Sequence, residues 1–275
     1  MNAPQAFDVL APGYDLDFTR TAIAHYLRRR VHACLDCHFQ PGDQVLELGC
    51  GTGEDALYLA GRGVRVLATD VSDGMLGAAR QKTAGNPLVR VEQLDLQNLP
   101  VGATWQVAPT TTTFDGVFSN FGPLNCVDNL KSLADWLAQR IKSGGIAAFG
   151  VMSPLCLWEI GWHGLHGNFG KAFRRMRKNT TFRPEGSSEA ITIHYPTIHR
   201  LTRDFTPWFR RIHIQPLGLF LPPSDVYGAI EKHPRLLKAL MSLERHFGEQ
   251  RHLALLADHY WIEFERTASS PDANH

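Results

Sequence analysis

The stretch that decides the fold lies between residues 45 and 55 and reads Val45-Leu46-Glu47-Leu48-Gly49-Cys50-Gly51-Thr52-Gly53-Glu54-Asp55. Apolar residues around one carboxylate predict a buried strand, and three glycines at alternate positions predict a tight turn into a helix. Glycine places no side chain between a ligand and the backbone, so such a turn permits a close approach. The stretch therefore predicts a strand, a ligand-binding turn and a helix that starts soon after Gly53.

A second apolar strand is predicted at residues 64–70, and it ends in Asp70. In a doubly wound sheet, a carboxylate at this position meets the ribose hydroxyls of a nucleoside cofactor. Dinucleotide binders use G-x-G-x-x-G to bring a pyrophosphate to a helix N-terminus, but here the third glycine comes one residue earlier. Glu47 would also repel a pyrophosphate, whereas it suits a cofactor that carries an ammonium and a sulfonium group.

The pattern E-x-G-x-G-x-G, followed by Asp70-Val71-Ser72, resembles the class I S-adenosylmethionine-dependent methyltransferases, of the small-molecule type. The resemblance implies an α/β fold, Rossmann-like and doubly wound, with a seven-stranded sheet whose last strand is antiparallel, plus a helical lid and cap insertions. It implies S-adenosyl-L-methionine as cofactor. The residues onto which it carries a cofactor-binding role are Tyr14, Glu47, Gly49, Gly51, Gly53, Asp70, Val71, Met75, Asp95, Leu96, Asn120 and Phe121.

Two of these roles come from more local likenesses. Residues 7–15 resemble an F-D-x-x-A-x-x-Y-D opening, in which the tyrosine, here Tyr14, closes over the methionine end of the cofactor. Residues 88–96 resemble the third strand and its exit, where an acid, here Asp95, accepts a hydrogen bond from the adenine amino group. Residues 119–121 follow the expected fourth strand and should lie between cofactor and substrate.

The same reading divides the chain into five parts. We expect an N-terminal helical lid at 1–40, a cofactor-binding core at 41–152, a substrate-cap insertion at 153–197, the rest of the core at 198–267 with a helical insertion at 222–257, and a disordered tail at 268–275. A helix capped by Asp128 and stopped at residues 143–145 should precede a fifth strand at 146–152. Arg28 and its two arginine neighbours are interpreted as a solvated helix face.

Bulk composition limits the function classes. A formal charge of +1 over 275 residues provides no overall attraction to nucleic acid. The sequence has neither an apolar run of membrane-spanning length nor a signal-peptide layout, so we expect a cytoplasmic protein without a membrane span. Five irregularly spaced cysteines do not predict a disulfide framework. The motif Cys34-x-x-Cys37-His38 matches a haem-attachment pattern, but its place at a helix end favours chance occurrence over haem or zinc.

The expected substrate is a small molecule, and the cap composition (Trp158, Trp162 and several histidines) suits an aromatic one, although the i, i+4 spacing of the tryptophans also fits core packing. A basic run at 171–183 suits an anionic molecule or a solvated face. A hydroxyl acceptor needs a base. The candidate catalytic residues are His163, His166, His194 and Tyr195, with His213 in addition; an amine or carbon acceptor needs none.

Two alternatives remain at this point. The first is an RNA methyltransferase that contacts phosphates through the basic run, although residues 119–122 lack the prolines of the nucleobase amino-methyltransferases. The second is a protein that binds the cofactor without turnover and serves as a partner or regulator. A further use of the cofactor, in another group transfer, ranks below both.

Overall fold

The structure, a computed structural model, describes residues 3–100 and 113–268, and the side chains of that part from residue 6 onward. The expected disordered tail at 268–275 lies outside the described residues except for its first position. The described chain contains one large sheet and one two-stranded sheet.

The large sheet has seven strands in the order β3-β2-β1-β4-β5-β9-β8. Strands β1 to β5 run parallel, while β9 is antiparallel to both of its neighbours. This topology confirms the expected doubly wound sheet with an antiparallel last strand. The strands are β1 Gln44–Leu48, β2 Arg65–Asp70, β3 Val89–Gln93, β4 Phe114–Ser119, β5 Ile141–Met152, β8 Phe209–Leu217 and β9 His259–Arg266; β6 Asn179–Phe182 and β7 Ile191–His194 form the small sheet.

The described α-helices flank the large sheet and build its lid and cap. They are α1 Ala3–Asp8, α2 Ala22–Asp36, α3 Glu54–Ala60, α4 Asp73–Lys82, α5 Leu130–Ala138, α6 Leu157–Leu165, α7 Phe169–Ala172, α8 Ile198–Phe205, α9 Tyr227–Glu231 and α10 Pro234–Phe247. Side chains on the two faces of the sheet belong to two separate apolar clusters, with Leu46 in one and Val45 in the other. Parallel strands that are covered on both faces read as continuous apolar runs, which explains the sequence of β1.

Two details of the core differ from the sequence-based expectation. The expected cap of α5 was Asp128, but the side chain of Asn129 accepts the hydrogen bond from the backbone N–H of Ser132. The expected helix end at 143–145 was also wrong, because α5 ends at Ala138 and β5 already begins at Ile141. Pairing of Ile141 with Phe114 of β4 extends the sheet at this point and overrides the local helical spacing.

The segments outside the sheet lie where they can cover its carboxyl edge. At the N-terminus, α1, a π-helical turn at Asp15–Thr19 and α2 precede β1. After β5, the chain forms α6 and α7 and then pairs β6 with β7 in the small antiparallel sheet. Between β8 and β9, the insertion contains α9 and α10.

Candidate active site

The turn after β1 adopts a backbone conformation that favours glycine. Gly49 and Gly51 have φ angles of +69° and +53°, in the left-handed region. A Cβ atom on Gly49 would lie 2.3 Å from the Pro123 side chain, so this position has no room for any other residue. A Cβ atom on Gly51 would meet only the Tyr14 ring, at 3.9 Å, which leaves space for a ligand beside the backbone.

Asp70, the last residue of β2, is held against this turn. Its Oδ2 accepts a hydrogen bond of 2.9 Å from the backbone N–H of Gly51, and its Oδ1 accepts one of 3.0 Å from the backbone N–H of Ser72. Burial raises the pKa of Asp70, and the backbone N–H groups of Ser72 and Gly51 oppose that rise. The carboxylate is thereby fixed at the carboxyl edge of the sheet, where open α/β sheets bind ligands.

A cavity of about 880 Å³ opens at this edge. Its walls come from the lid, from the ends of β2 to β5, from the cap and from the insertion that follows β8. The lining residues include ten of the twelve with a predicted cofactor role: Tyr14, Gly49, Gly51, Asp70, Val71, Met75, Asp95, Leu96, Asn120 and Phe121. The structure therefore brings distant parts of the chain together around one volume, although the role of each residue stays a prediction.

Glu47 and Gly53 are the two predicted residues that do not line the cavity. Gly53 precedes α3, and a Cβ atom there would lie 3.2 Å from the Cβ of Ala79, so helix packing accounts for this glycine while its cofactor role stays a prediction. Glu47 is 2% exposed and lies beneath the turn, because its place within β1 points the side chain into the sheet layer. Burial and the Asp55 charge raise the pKa of Glu47 well above its usual range, and Arg28 opposes that rise.

Arg28 is buried, so the expectation of a solvated arginine face is wrong at this position. Its Nη1 lies 2.6 Å from Oδ2 of Asp55, and Oδ1 of Asp55 lies 2.7 Å from Nε2 of His32. Despite its burial, Asp55 has a pKa well below its usual range because Arg28 and His32 stabilise the charged form. Arg28 also lines a small pocket next to the main cavity, between Tyr14 and Phe121. In the sequence Arg28 is one of three consecutive arginines, and only its burial in the fold distinguishes it from the other two.

The polar atoms around this pocket fit the methionine end of S-adenosylmethionine. Among the described residues, three buried side-chain atoms here have no hydrogen-bond partner: Nε of Arg28, Oε2 of Glu47 and Oδ1 of Asn120. Buried polar atoms are rarely unpaired in folded proteins. The amino acid moiety of S-adenosylmethionine offers a partner for both kinds of atom. Its ammonium group donates to oxygen acceptors, and its carboxylate accepts from a guanidinium.

Aromatic rings form the boundary between the small pocket and the main cavity. Phe121 has a φ of +54°, the one positive value among the non-glycine residues of the described chain. This backbone conformation places its ring 5.1 Å from the Arg28 guanidinium and edge-on to His259. Tyr14 packs beside Phe18, and burial raises the pKa of Tyr14 to about 12, so it is a neutral phenol here.

The three histidines predicted as catalytic residues lie outside the cavity lining, whereas Tyr195 belongs to it. His163 is buried with Nε2 3.4 Å from Asp225, and His166 is exposed with Nδ1 2.7 Å from the carbonyl oxygen of Trp162. His194 pairs through Nε2 with Asp128, at 2.6 Å. Each of the three rings thus has a partner within the chain, and a catalytic role for any of them stays a prediction.

Other candidate residues have structural contacts. His213 on β8 lies outside the lining and within 3.4 Å of Gln215. The indole of Trp158 donates to the carbonyl oxygen of Phe220, and the ring of Trp162 packs on His166. Neither tryptophan lines the cavity, so core packing is the interpretation that the structure favours.

The basic run of the cap divides into two groups. Lys171, Arg174 and Arg175 line the cavity, and each is paired with a carboxylate. Lys171 contacts Asp225 at 2.7 Å, Arg174 contacts Glu159 at 2.6 Å, and Arg175 bridges Glu159 and Asp258. The later members, Arg177, Lys178 and Arg183, are exposed and do not line the cavity.

Asp258 and His259 line the cavity, although the sequence analysis did not single them out. Nδ1 of His259 lies 2.9 Å from Oδ2 of Asp258. His259 begins β9 and pairs with Met152, the last residue of β5. An antiparallel strand begins where its parallel neighbour ends, so its first residues reach the ligand edge.

The residues of the haem-like motif have other roles. Cys34 accepts a hydrogen bond from Gln215, Cys37 is exposed, and Nε2 of His38 lies 3.0 Å from Glu263. Across residues 3–100 and 113–268, no cluster of three or more His, Cys, Asp or Glu side chains is arranged to hold a metal ion.

The sheet order, the glycine turn after β1 and the carboxylates of Glu47 and Asp70 define the class I methyltransferase fold. Residues 45–145 match a family model described as a methyltransferase domain. Residues 45–145 therefore form a methyltransferase domain with the class I fold.

Comparison with known proteins adds three similarities. A demethylmenaquinone methyltransferase of Symbiobacterium thermophilum is 29% identical over 51% of this chain and 55% of its own length. A malonyl-[acyl-carrier protein] O-methyltransferase of Serratia marcescens is 31% identical over 59% of this chain and 62% of its own length. The crystal structure of an S-adenosylmethionine-dependent methyltransferase from Mesorhizobium loti superposes with a TM-score of 0.53 at 17% identity, covering 85% of this chain and 96% of that one.

The chain thus spans little more than half the length of the curated relatives it matches. The likeness to the solved structure supports the fold. In the described part of the chain, every helix is too short or too polar to cross a bilayer.

Proposed function

We propose that this protein binds S-adenosylmethionine at the carboxyl edge of the sheet and transfers its methyl group to a small, largely apolar molecule. The observation that carries the proposal is the buried Asp70 carboxylate, which hydrogen-bonds to the Gly51 backbone and lines the cavity. When bound, this cofactor supplies an electrophilic methyl group on sulfur, so the chain provides orientation and exclusion of water.

In this proposal, the residues around the cavity bind different parts of the cofactor. Asp70 accepts hydrogen bonds from the ribose hydroxyls, and Asp95 accepts from the adenine amino group. Asp95 is already oriented, because its Oδ1 accepts from the backbone N–H of Gln97 and its Oδ2 from the Asn98 amide. Glu47 and Asn120 attract the ammonium group, and Arg28 attracts the carboxylate. Tyr14 covers the junction between the two pockets.

The rest of the cavity supports an apolar acceptor. Its walls beyond the cofactor residues include Phe7, Leu94, Met152, Phe182, Ile191 and Ile193. The lining cations are already neutralised by Glu159, Asp225 and Asp258, which argues against a strongly anionic acceptor. The names of the relatives, which refer to a quinone and to an acyl-carrier thioester, agree with a role in quinone, lipid or secondary-metabolite biosynthesis.

Calorimetry tests the proposal directly. The purified protein is titrated with S-adenosylhomocysteine and then incubated with labelled S-adenosylmethionine and an acceptor panel that includes demethylmenaquinol. Binding plus label in an acceptor supports the proposal. Binding with no acceptor in a broad panel supports the alternative of a cofactor-binding partner protein.

The RNA alternative depends on Arg177, Lys178 and Arg183, because the other cations of the run face the cavity in ion pairs. Three exposed cations on one short segment are fewer phosphate contacts than tight RNA binding requires. Filter binding with total RNA at low and high salt tests this alternative. A salt-sensitive complex that the triple Gln variant abolishes would favour RNA, and no retention at high protein concentration excludes it.

A further inference from the structure

Among the described residues, His259 is the one histidine that lines the cavity, and its geometry is that of a proton acceptor. Its Nδ1 lies 2.9 Å from Oδ2 of Asp258, and a carboxylate can only accept, so Nδ1 donates the proton of this bond. That fixes the tautomer and leaves the lone pair on Nε2. Nε2 has no hydrogen-bond partner among the described residues, and His259 lines the cavity.

Asp258 is held rigidly in the charged form. Its Oδ1 lies 2.6 Å from Nη2 of Arg175, and its backbone carbonyl oxygen accepts from Nη1 of Arg175 and from the N–H of Ser153. Arg175 is fixed in turn by Glu159, at 2.8 Å. Burial alone would raise the pKa of Asp258, but His259 and Arg175 hold it well below its usual range.

The dyad lies next to a residue with a predicted cofactor role. His259 is edge-on to Phe121, whose ring also contacts Arg28 near the small pocket. The Tyr195 hydroxyl, bonded to Thr180, faces the same cavity from the cap. A molecule between the cap and Phe121 is therefore within the volume that His259 borders.

We infer, on the basis of the proposed function, that His259 is the general base of the methyl transfer and that the acceptor is a hydroxyl group on an aromatic molecule. Asp258 and Arg175 are positioning residues for this base. The acceptor oxygen gives its proton to Nε2 of His259 and forms a bond to the methyl carbon. The carbon–sulfur bond breaks with its electron pair left on sulfur, so the positive charge passes from sulfonium to imidazolium, which releases its proton to water.

Other charged and titratable groups surround the dyad. Asp258 directly precedes β9, and the elements packed against the dyad contribute Glu159, Lys171, Arg174, Arg175, Tyr195, Asp225 and Tyr227. The cations among these are matched by carboxylates, so an approaching acceptor meets the imidazole rather than an excess of charge.

The experiment compares the wild type with His259→Asn, His259→Ala and Asp258→Asn, and with His199→Asn as a matched control on an exposed face of α8. The probes are 1,4-naphthohydroquinone and 4-nitrocatechol, with labelled S-adenosylmethionine as donor. We expect kcat of His259→Asn to fall about 100-fold or more, the range of a lost general base. Affinity for S-adenosylhomocysteine should change less than about twofold, and imidazole should restore turnover to His259→Ala. His199→Asn should match the wild type.

Two readouts do not depend on turnover. In nitrogen-15 histidine spectra, the neutral form of the His259 ring should carry its proton on Nδ1, and Asp258→Asn should alter that tautomer. At a pH below the pKa of free 4-nitrocatechol, binding should convert this probe to its coloured anion in the wild type but not in His259→Asn.

Each contrary result has a distinct meaning. A His259→Asn variant with the wild-type kcat across the pH range, or a ring protonated on Nε2 in the wild type, overturns the assignment of His259 while the proposed function stands. A wild type that binds S-adenosylhomocysteine and neither binds nor methylates either probe overturns the aromatic hydroxyl as acceptor. Failure to bind S-adenosylhomocysteine at all contradicts the proposed function itself.

Discussion

Arg28 and Asp55 form a buried ion pair at the inner end of the small pocket, with 2.6 Å between Nη1 and Oδ2. The pair joins the N-terminal lid to the first turn of α3, directly behind the glycine turn. Arg28 retains a second, unpartnered nitrogen, Nε, among the described contacts. Arg28 therefore makes a stabilising contact through Nη1 and has an unpaired hydrogen-bond donor at Nε.

Replacement of Arg28 by Met should affect both stability and cofactor binding. Asp55 would lose its partner in a buried setting, so the free energy of unfolding should fall by about 3–5 kcal/mol. S-adenosylhomocysteine should bind more weakly at a temperature where the variant stays folded. Denaturant unfolding and calorimetry measure the two effects, and Arg29→Met is the control because Arg29 is exposed. Arg29→Met should change stability by no more than about 0.5 kcal/mol, and an Arg28→Met variant as stable as this control would contradict the assignment.

Gly51→Ala should separate backbone strain from ligand contact. A side chain at φ +53° costs about 1–2 kcal/mol, and its Cβ would enter the space between Gly51 and Tyr14. Gly85 has a φ of +79° and nothing within 4 Å of its Cβ position, so Gly85→Ala has comparable strain at a site away from the cavity. Both variants should unfold at lower denaturant, but Gly51→Ala alone should lose affinity for S-adenosylhomocysteine. Equal affinity in the two variants would contradict the proposed place of the cofactor.

The substitution Glu47→Gln should change two properties, the pH dependence of the free energy of unfolding and the affinity for S-adenosylhomocysteine. Burial raises the pKa of Glu47 above the unfolded value of about 4.3, so the folded state binds its proton more tightly. The contribution of Glu47 to stability is therefore complete below about pH 4 and declines as the pH rises towards the folded pKa. Relative to the wild type, Glu47→Gln should gain stability over this interval, at up to about 1.4 kcal/mol per pH unit.

The same variant should bind S-adenosylhomocysteine more weakly, because the carboxylate that attracts the ammonium group is gone. Unfolding by urea at several pH values, together with calorimetry, measures both effects. Glu249→Gln is the control, since Glu249 is exposed. A Glu47→Gln variant with wild-type affinity and an unchanged pH profile would remove Glu47 from the account.

Much of the fold was predictable because its signals are local. The apolar runs ending in Leu48 and Asp70, with glycines between them, specify two parallel strands and a tight turn whatever the rest of the chain does. The start of β5 was harder to predict from the sequence, because the pairing of Ile141 with Phe114 is a contact between distant segments.

The site was predictable only where backbone geometry alone brings residues to the ligand edge. Gly51, Asp70 and Asp95 follow consecutive strands and reach it without any help from the cap. The positions of His163, His166 and His194 outside the cavity lining were not predictable, because side-chain partners far apart in sequence, such as Asp128 for His194, influence where each ring lies. Arg28 was missed for a similar reason, since its burial depends on Asp55.

The central claim is that the cavity beside Asp70 binds an adenosyl sulfonium cofactor and not a dinucleotide. Calorimetry of the wild type with S-adenosylmethionine, S-adenosylhomocysteine and NADH tests it most directly, with Asp70→Ala as the site variant and Asp73→Ala, on the exposed first turn of α4, as the control. We expect heat with both adenosyl ligands and none with NADH. Asp70→Ala should weaken binding by about 1–3 kcal/mol through lost ribose hydrogen bonds, and Asp73→Ala should bind as the wild type does. Heat with NADH and none with S-adenosylhomocysteine, or full affinity in Asp70→Ala, would contradict the claim.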